Sequence, residues 1–295
     1  MEWFHTVTLQ NEHLTATIVP SEGANMMSLK KGSTEVLRAP SSKEAYEKKK
    51  ILFGTPALFP PNRIEDGTFH FNGTDYSLPL NETDLNNHIH GFVSDRPFSV
   101  ISHSDTLLTA RFDSGDHPEI YEGFPHHFTV ELDFELSGDT LIKRCRIKNL
   151  SERDMPAGFG WHTSFLFDAG TDQFTASVKE QWELNERNLP TGKRSDATLP
   201  ESLDQVMLDD AYTDNGQRTV TIKRPEITIN YKASEAFIIW VIFHEGEGFI
   251  CPEPYTWITN APHLQQDPAA GFKAVKPGET FEVSAEIRLF EEEDK

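Results

Sequence analysis

Apolar and polar residues alternate with a period of two in short runs along most of this sequence, as in Thr6-Val7-Thr8-Leu9 and Leu14-Thr15-Ala16-Thr17-Ile18-Val19. That period sends successive side chains of an extended chain to opposite faces, so each run reads as a half-buried strand. Between Phe69-His70-Phe71 and Tyr76-Ser77-Leu78 lies Asn72-Gly73, a pair that reaches positive φ easily and predicts a tight hairpin. A second hairpin is expected where Phe128 to Phe134 and Leu141 to Ile147 flank Ser137-Gly138-Asp139. Further strands are expected over 156–167, 173–184, 219–223, 226–231, 236–243 and 280–290. The helix signal is confined to Ser41 to Lys50, where Ser41 and Glu44 suit a capping box and Lys48-Lys49-Lys50 complement the helix C-terminus. Strands that do not alternate with helices exclude a parallel α/β fold. The expected class is mainly β, a large antiparallel β-sandwich with few short helices.

The chain of 295 residues carries 27 Lys and Arg against 47 Asp and Glu, a formal net charge of −20, which excludes a surface built to neutralise phosphates and hence a nucleic-acid partner. Its 37% apolar content, with 11% aromatic, is enough for a sizeable core. No basic-then-apolar leader opens the sequence, and no apolar run approaches the roughly 20 residues that span a bilayer, so no membrane partner is expected. Cys145 and Cys251 sit in apolar, strand-like surroundings and read as buried free thiols, which points to a reducing cytoplasm. Composition does not shift along the chain. A single domain over residues 1–295 is expected, with the polar stretch Asn185 to Asp204 as a long surface loop.

Five segments concentrate residues that regular strands do not need: Phe59-Pro60-Pro61-Asn62-Arg63-Ile64, Asn87-His88-Ile89-His90-Gly91-Phe92, Ala157-Gly158-Phe159-Gly160-Trp161-His162, Leu208-Asp209-Asp210-Ala211-Tyr212 and Cys251-Pro252-Glu253-Pro254-Tyr255. Prolines on both sides of Glu253 fix two φ angles, and the aromatic flanks predict a partly desolvated carboxylate with a raised pKa, suited to a general base. His162 follows glycines at alternate positions, which leave room for a ligand or a close backbone, and an imidazole is the natural proton donor near neutral pH. His88 and His90 would share one face of an extended strand, but no cluster of Cys or carboxylate completes the pair, and no metal is expected. Arg63 in a Pro-rich bend and Asp209 in a loop each read singly as solvated charges. Together with Trp and Phe rings, these groups are the donors, acceptors and stacking faces that a polyhydroxylated ligand requires. Neither a nucleophile elbow nor a phosphate-binding Gly loop occurs.

These residues resemble the aldose 1-epimerase (galactose mutarotase) family, in particular its shorter bacterial members. The resemblance runs through Gly54-Thr55-Pro56-Ala57-Leu58-Phe59-Pro60, Asn62-Arg63-Ile64, Asp66-Gly67, His90-Gly91-Phe92, Gly160-Trp161-His162, Leu208-Asp209-Asp210, Glu253-Pro254 with Asn260-Ala261-Pro262, and Val275-Lys276-Pro277-Gly278-Glu279. It implies a galactose mutarotase-like supersandwich with a sugar cleft on one sheet face and no cofactor. It further implies His162 as the acid that protonates the ring oxygen, Glu253 as the base at the anomeric hydroxyl, and Arg63, His90 and Asp209 as holders of sugar hydroxyls. Asp210 leaves the last assignment open by one position. The sequence departs from the pattern at Thr163-Ser164-Phe165 and at Phe98, which bears on which sugar is preferred. A hexose-6-phosphate mutarotase and a non-catalytic carbohydrate-binding protein are the alternative readings.

Overall fold

The computed structural model describes residues 3–291. Two eight-stranded antiparallel sheets dominate it. The first runs in the order Ser99–His103, Leu107–Asp113, Phe128–Ser137, Thr140–Asn149, Thr280–Phe290, Thr228–Ala233, Thr219–Lys223, Gln173–Ala176. The second runs Pro190–Asp196, Val178–Leu184, Leu208–Asp214, Ile239–His244, Phe249–Tyr255, Gly160–Trp161, Ala57–Leu58 as its main path, with Phe165–Leu166 also paired to Phe249–Tyr255. A four-stranded sheet covers Val7–Gln10 to Thr34–Glu35.

Alternation decides what lies between the two large sheets. Val130, Leu132 and Phe134 from one strand, with Leu141, Cys145 and Ile147 from its hairpin partner, meet Trp161, Tyr212, Trp240 and Ile242 from the second sheet in one buried cluster. Fully burying each such apolar side chain contributes about 1.5–3 kcal/mol before entropy is counted. Both cysteines are buried free thiols. Among the described residues no helix is long and apolar enough to cross a membrane.

The second sheet differs from the first because its outer face is also covered. Every residue of Phe249–Tyr255 is buried, and outward-facing Val241, Ala211 and Tyr255 join Trp182 and Trp257 in a second apolar cluster. A sheet with both faces dry can hold a desolvated polar group.

Local expectations fared unevenly. The Asn72-Gly73 hairpin forms between Thr68–Phe71 and Thr74–Ser77, with φ of 47° and 76° at the two turn residues. The helix spans Lys43–Lys48 and is capped by Ser42, not Ser41, whose Oγ accepts from the Ala45 amide at 3.1 Å; a 3₁₀ turn over Lys50–Leu52 follows. A second short helix, Pro118–Gly123, gave no periodic signal, because Pro at its first position is the only marker in so brief an element. The stretch read as a loop from Asn185 to Asp204 contains the edge strand Pro190–Asp196, polar because the edge is solvated.

Candidate active site

Glu253 occupies the middle of the strand Phe249–Tyr255, and its prolines have a readable consequence. On one side the strand pairs with Ile239–His244, which sets Val241 opposite Glu253. On the other it pairs Gly160 with Tyr255 and Phe165 with Ile250, and pairing lapses between those points, opposite Pro252 and Pro254, which lack N–H groups to donate. The same register sets His162 opposite Glu253. Neighbouring side chains alternate, so Trp161 and Thr163 enter the core while His162 and Glu253 share the outer face.

His162 Nε2 lies 3.2 Å from Glu253 Oε1, and both side chains are almost wholly buried. Burial disfavours charge on each. It pushes Glu253 well above the usual carboxylate range, although the Tyr255 hydroxyl donates to Oε2 and works the other way. It pushes the His162 imidazole down to about 3. Burial thus favours imidazole beside carboxylic acid over the charged pair. His162 Nδ1 is buried without a hydrogen-bond partner, so apart from the Nε2 contact with Glu253 only backbone and packing orient the ring.

The alternate glycines before His162 serve rings, not a ligand. A Cβ at Gly160 would fall 2.2 Å from the Tyr255 ring, and one at Gly158 would fall 2.1 Å from the Trp257 ring. Gly160 thereby lets Tyr255 lie against the strand with its hydroxyl at Glu253.

His90 ends the short ladder of Arg63–Glu65 with Asn87–Ile89 and has φ of 65°, so it leaves the strand that carries His88. Its ring meets the His162 ring edge-on with centroids 5.5 Å apart, and its Nδ1 is enclosed without a partner. Burial, with His162 and Arg63 nearby, pushes it well below the ordinary imidazole range. The side chain of His88 goes elsewhere, its Nδ1 sitting 2.8 Å from the Pro79 carbonyl. The expected common face of the two histidines is therefore lost at the turn. Among the described residues no group of three metal-ligating side chains occurs.

Arg63 Nε donates to both oxygens of Glu82 at 3.0 and 2.9 Å, while its Nη2 stands 3.7 Å from Asp209 Oδ2. Asp209 is not in a loop. It lies in the strand Leu208–Asp214, in register with Phe243 on the next strand, and its pKa is raised by burial against the lowering effect of Arg63. Asp210 points its carboxylate to Gln181, which donates at 2.9 Å.

One cavity of about 350 Å³ is lined by Arg63, His90, His162, Asp209 and Glu253, together with Val241, Phe243 and Leu52. Its size falls within the roughly 300–1,000 Å³ of small-molecule sites. Lys48, Lys49 and Glu245 also line it, and the sequence analysis missed all three, because nothing local marks a helix end or the turn after a strand as a cavity wall. Tyr255 was visible as an aromatic neighbour of Glu253. Its place two residues on, on the same strand face, was the available sign of a contact.

With the sheet, the buried pair and the cavity in place, likeness to known proteins can be weighed. The sequence profile of the aldose 1-epimerase family matches residues 5–288. The chain belongs to the aldose 1-epimerase family. Among solved structures, a galactose mutarotase-like protein from Clostridium acetobutylicum superposes with a TM-score of 0.90 at 28% identity, covering 97% of this chain and 95% of that one. A galactose 1-epimerase from Lactobacillus acidophilus shares the fold, with a TM-score of 0.78 at 16% identity over 97% and 94% of the two chains. The Escherichia coli K12 protein YphB is 25% identical over 245 residues, 77% of this chain and 80% of its own length. This aldose 1-epimerase family member therefore has the mainly β, mutarotase-like architecture expected of it.

Proposed function

We propose that this protein interconverts the α and β anomers of a free aldohexose by acid–base ring opening and reclosure, without a cofactor. The observation that carries the reading is the buried His162–Glu253 pair, facing a cavity that also holds Arg63, His90 and Asp209.

The chemistry follows from one proton shared by two desolvated groups. In the reacting arrangement His162 is imidazolium and Glu253 carboxylate. His162 gives its proton to the ring oxygen, Glu253 takes the proton of the C1 hydroxyl, the bond from C1 to the ring oxygen breaks, and the aldehyde forms. This leaves imidazole and carboxylic acid, the neutral arrangement that burial favours. Rotation about C1–C2 and the reverse transfers close the other anomer. Arg63, Asp209 and His90 hold the sugar's hydroxyls.

Lys48 is already engaged by Glu44 at 2.9 Å and Lys49 by Glu245 at 3.3 Å, which supports a neutral sugar over a sugar phosphate. A binding protein needs no acid facing a base across a rung, which supports an enzyme over a carbohydrate-binding protein. Polarimetry of freshly dissolved α-glucose and α-galactose tests the reading. Accelerated decay of rotation, unaffected by excess EDTA, is expected; only the spontaneous rate across a panel of hexoses and pentoses would overturn it.

A further inference from the structure

The strand Thr140–Asn149 turns Leu141, Lys143, Cys145 and Ile147 toward the core, so one lysine occupies a position where the pattern calls for an apolar side chain. Lys143 is fully buried. It crosses from the first sheet to the underside of the second, where Nζ lies 2.6 Å from Thr55 Oγ1, 3.1 Å from Thr163 Oγ1 and 3.2 Å from the Tyr231 hydroxyl. Thr55 and Thr163 are 2.8 Å apart, and Thr163 and Tyr231 3.2 Å.

Among the described residues no carboxylate closes this group, and the polar atoms answer one another. The Lys143 nitrogen and three hydroxyls make five contacts. A neutral amine supplies two hydrogens and the hydroxyls three, one for each contact, whereas an ammonium ion leaves one hydrogen over. Burial likewise holds the amine well below the ordinary ammonium range. The Trp161 ring, 4.4 Å from Nζ, closes the cluster on the side of the site.

Why a polar cluster should sit there is answered by the backbone above it. On one side the segment from His162 to Ser164 has Pro252 opposite Thr163, and Pro254 opposite the preceding Trp161, neither of which has an N–H to donate. On the other side the His162 amide donates to the Pro56 carbonyl at 2.9 Å and the Ser164 amide to the Gly54 carbonyl at 2.9 Å. Neither bond is returned, since Pro56 has no N–H and the Gly54 amide is spent on the Arg38 carbonyl. The Ser164 carbonyl accepts from the Arg38 amide at 2.9 Å, so the far end of the segment is tied, whereas His162 has the single bond to Pro56 and its ring Nδ1 has no partner. Thr163 and Thr55 face each other directly beneath the bonds to Pro56 and Gly54.

We propose that Lys143 is a positioning residue of this site, a core amine that clamps Thr55 to Thr163 from behind and so fixes the His162 backbone opposite Glu253. The proposal rests on the acid–base reading above. Lys143 touches no substrate; it acts through the residue next to His162.

The test compares Lys143→Met, which keeps length and apolar stem, with Thr163→Val and Thr163→Ser. In Lys143→Met and Thr163→Val, kcat is expected to fall about tenfold to a hundredfold, as for a small misplacement of a reacting group, with KM changed less than about threefold. Thr163→Ser keeps the hydroxyl and should recover most of the loss. A purely structural role predicts a lower Tm with wild-type kcat in the folded protein, and that result would overturn the proposal. Should Lys143→Met not fold, the Thr163 pair decides alone, equal kcat in Val and Ser being the adverse outcome. If the wild-type protein turns over no sugar, the functional reading fails separately. In that case the ¹⁵N-resolved ring signals of His162 decide: a shift in Thr163→Val but not in Thr163→Ser supports the clamp, and no shift in either refutes it.

Discussion

Two hollows in this molecule invite comparison, and the smaller one holds the unspent chemistry. A groove of about 740 Å³ is lined by Leu166 to Asp172, Arg224, Glu226 and other loop residues, roughly twice the volume of the His162–Glu253 cavity at about 350 Å³. Its polar groups are largely committed to the chain itself. Asp168 accepts from the Gly170 amide, Asp172 from the Asp168 amide, and Arg224 donates to Glu226 and to the Glu35 carbonyl. The smaller cavity instead gathers residues from separate elements whose charges are suppressed by burial, His90, His162 and Glu253. Volume measures where solvent fits; converging titratable groups with suppressed charge mark where chemistry can occur.

Substitutions sharpen that contrast. Glu253→Gln and His162→Ala should each lower kcat about 10²–10⁴-fold, the usual contribution of a positioned acid or base. The double variant should lose less than the product of the two, because the residues act as a unit. Polarimetric progress curves measure all three, and near wild-type turnover in folded Glu253→Gln would transfer the base to Asp209, the other carboxylate placed toward Arg63 in the cavity. Arg63→Ala and Asp209→Ala should reduce kcat/KM about tenfold to a hundredfold, with KM raised, since each removes a charged hydrogen-bonding group of about 1.5–3 kcal/mol. An unchanged KM would remove them from sugar binding.

Smaller effects follow from proton occupancy. Below its ordinary 6.5 the His162 imidazole stays neutral until about pH 3, so kcat should hold down to that region and fall only where a second proton enters the pair. An acid limb near 6.5 would contradict burial as the controlling influence. For stability, above 4.5 the unfolded chain releases the Glu253 proton while the folded chain keeps it. The folded state then binds more protons, and stability declines with rising pH until the folded pKa is passed. Glu253→Gln has no such proton, so the Tm of the variant minus that of the wild type should widen from about pH 5 to 8. His162 acts oppositely, costing stability as pH falls from 6.5 toward 3. In the larger groove, Glu226→Gln should leave kcat unchanged and shift stability by no more than about 0.5 kcal/mol, the usual scale for a surface change. A loss of turnover there would break the comparison.

The period of two made the fold legible, because burial on one face of a strand leaves its mark residue by residue. It made the edge strand Pro190–Asp196 and the covered outer face of the second sheet illegible, since the first is polar throughout and the second buried throughout. For the site, His162 and Glu253 stood out through their glycine and proline neighbours. Their mutual placement did not, because it depends on strand register across 91 positions, which composition does not encode. Arg63 hid its partner Glu82 for the same reason, and Asp209 was separable from Asp210 only once alternation along Leu208–Asp214 was fixed. Lys143 carried the clearest overlooked signal, a charge on the apolar phase of a ten-residue strand.

The rung that joins His162 to Glu253 gives this site a parity. Acid and base are separated by the spacing of two adjacent strands, a distance the sheet sets and the substrate does not, and it suits any ring that presents a hydroxyl beside an ether oxygen. In the proposed function, what distinguishes one sugar from another falls to parts outside that rung: the ladder bearing Arg63 and His90 and the helix end at Lys48 and Lys49. Such segments can lengthen, shorten or exchange residues without altering the spacing of the proton-transfer groups. Inside the rung the freedom is of another kind, since a slip of one residue between Gly160 and Phe165 would carry His162 into the core and bring a threonine or a tryptophan to the cleft. Divergence in this architecture is thus channelled: the sugar recognised can drift by small steps, while the reaction is kept or lost whole.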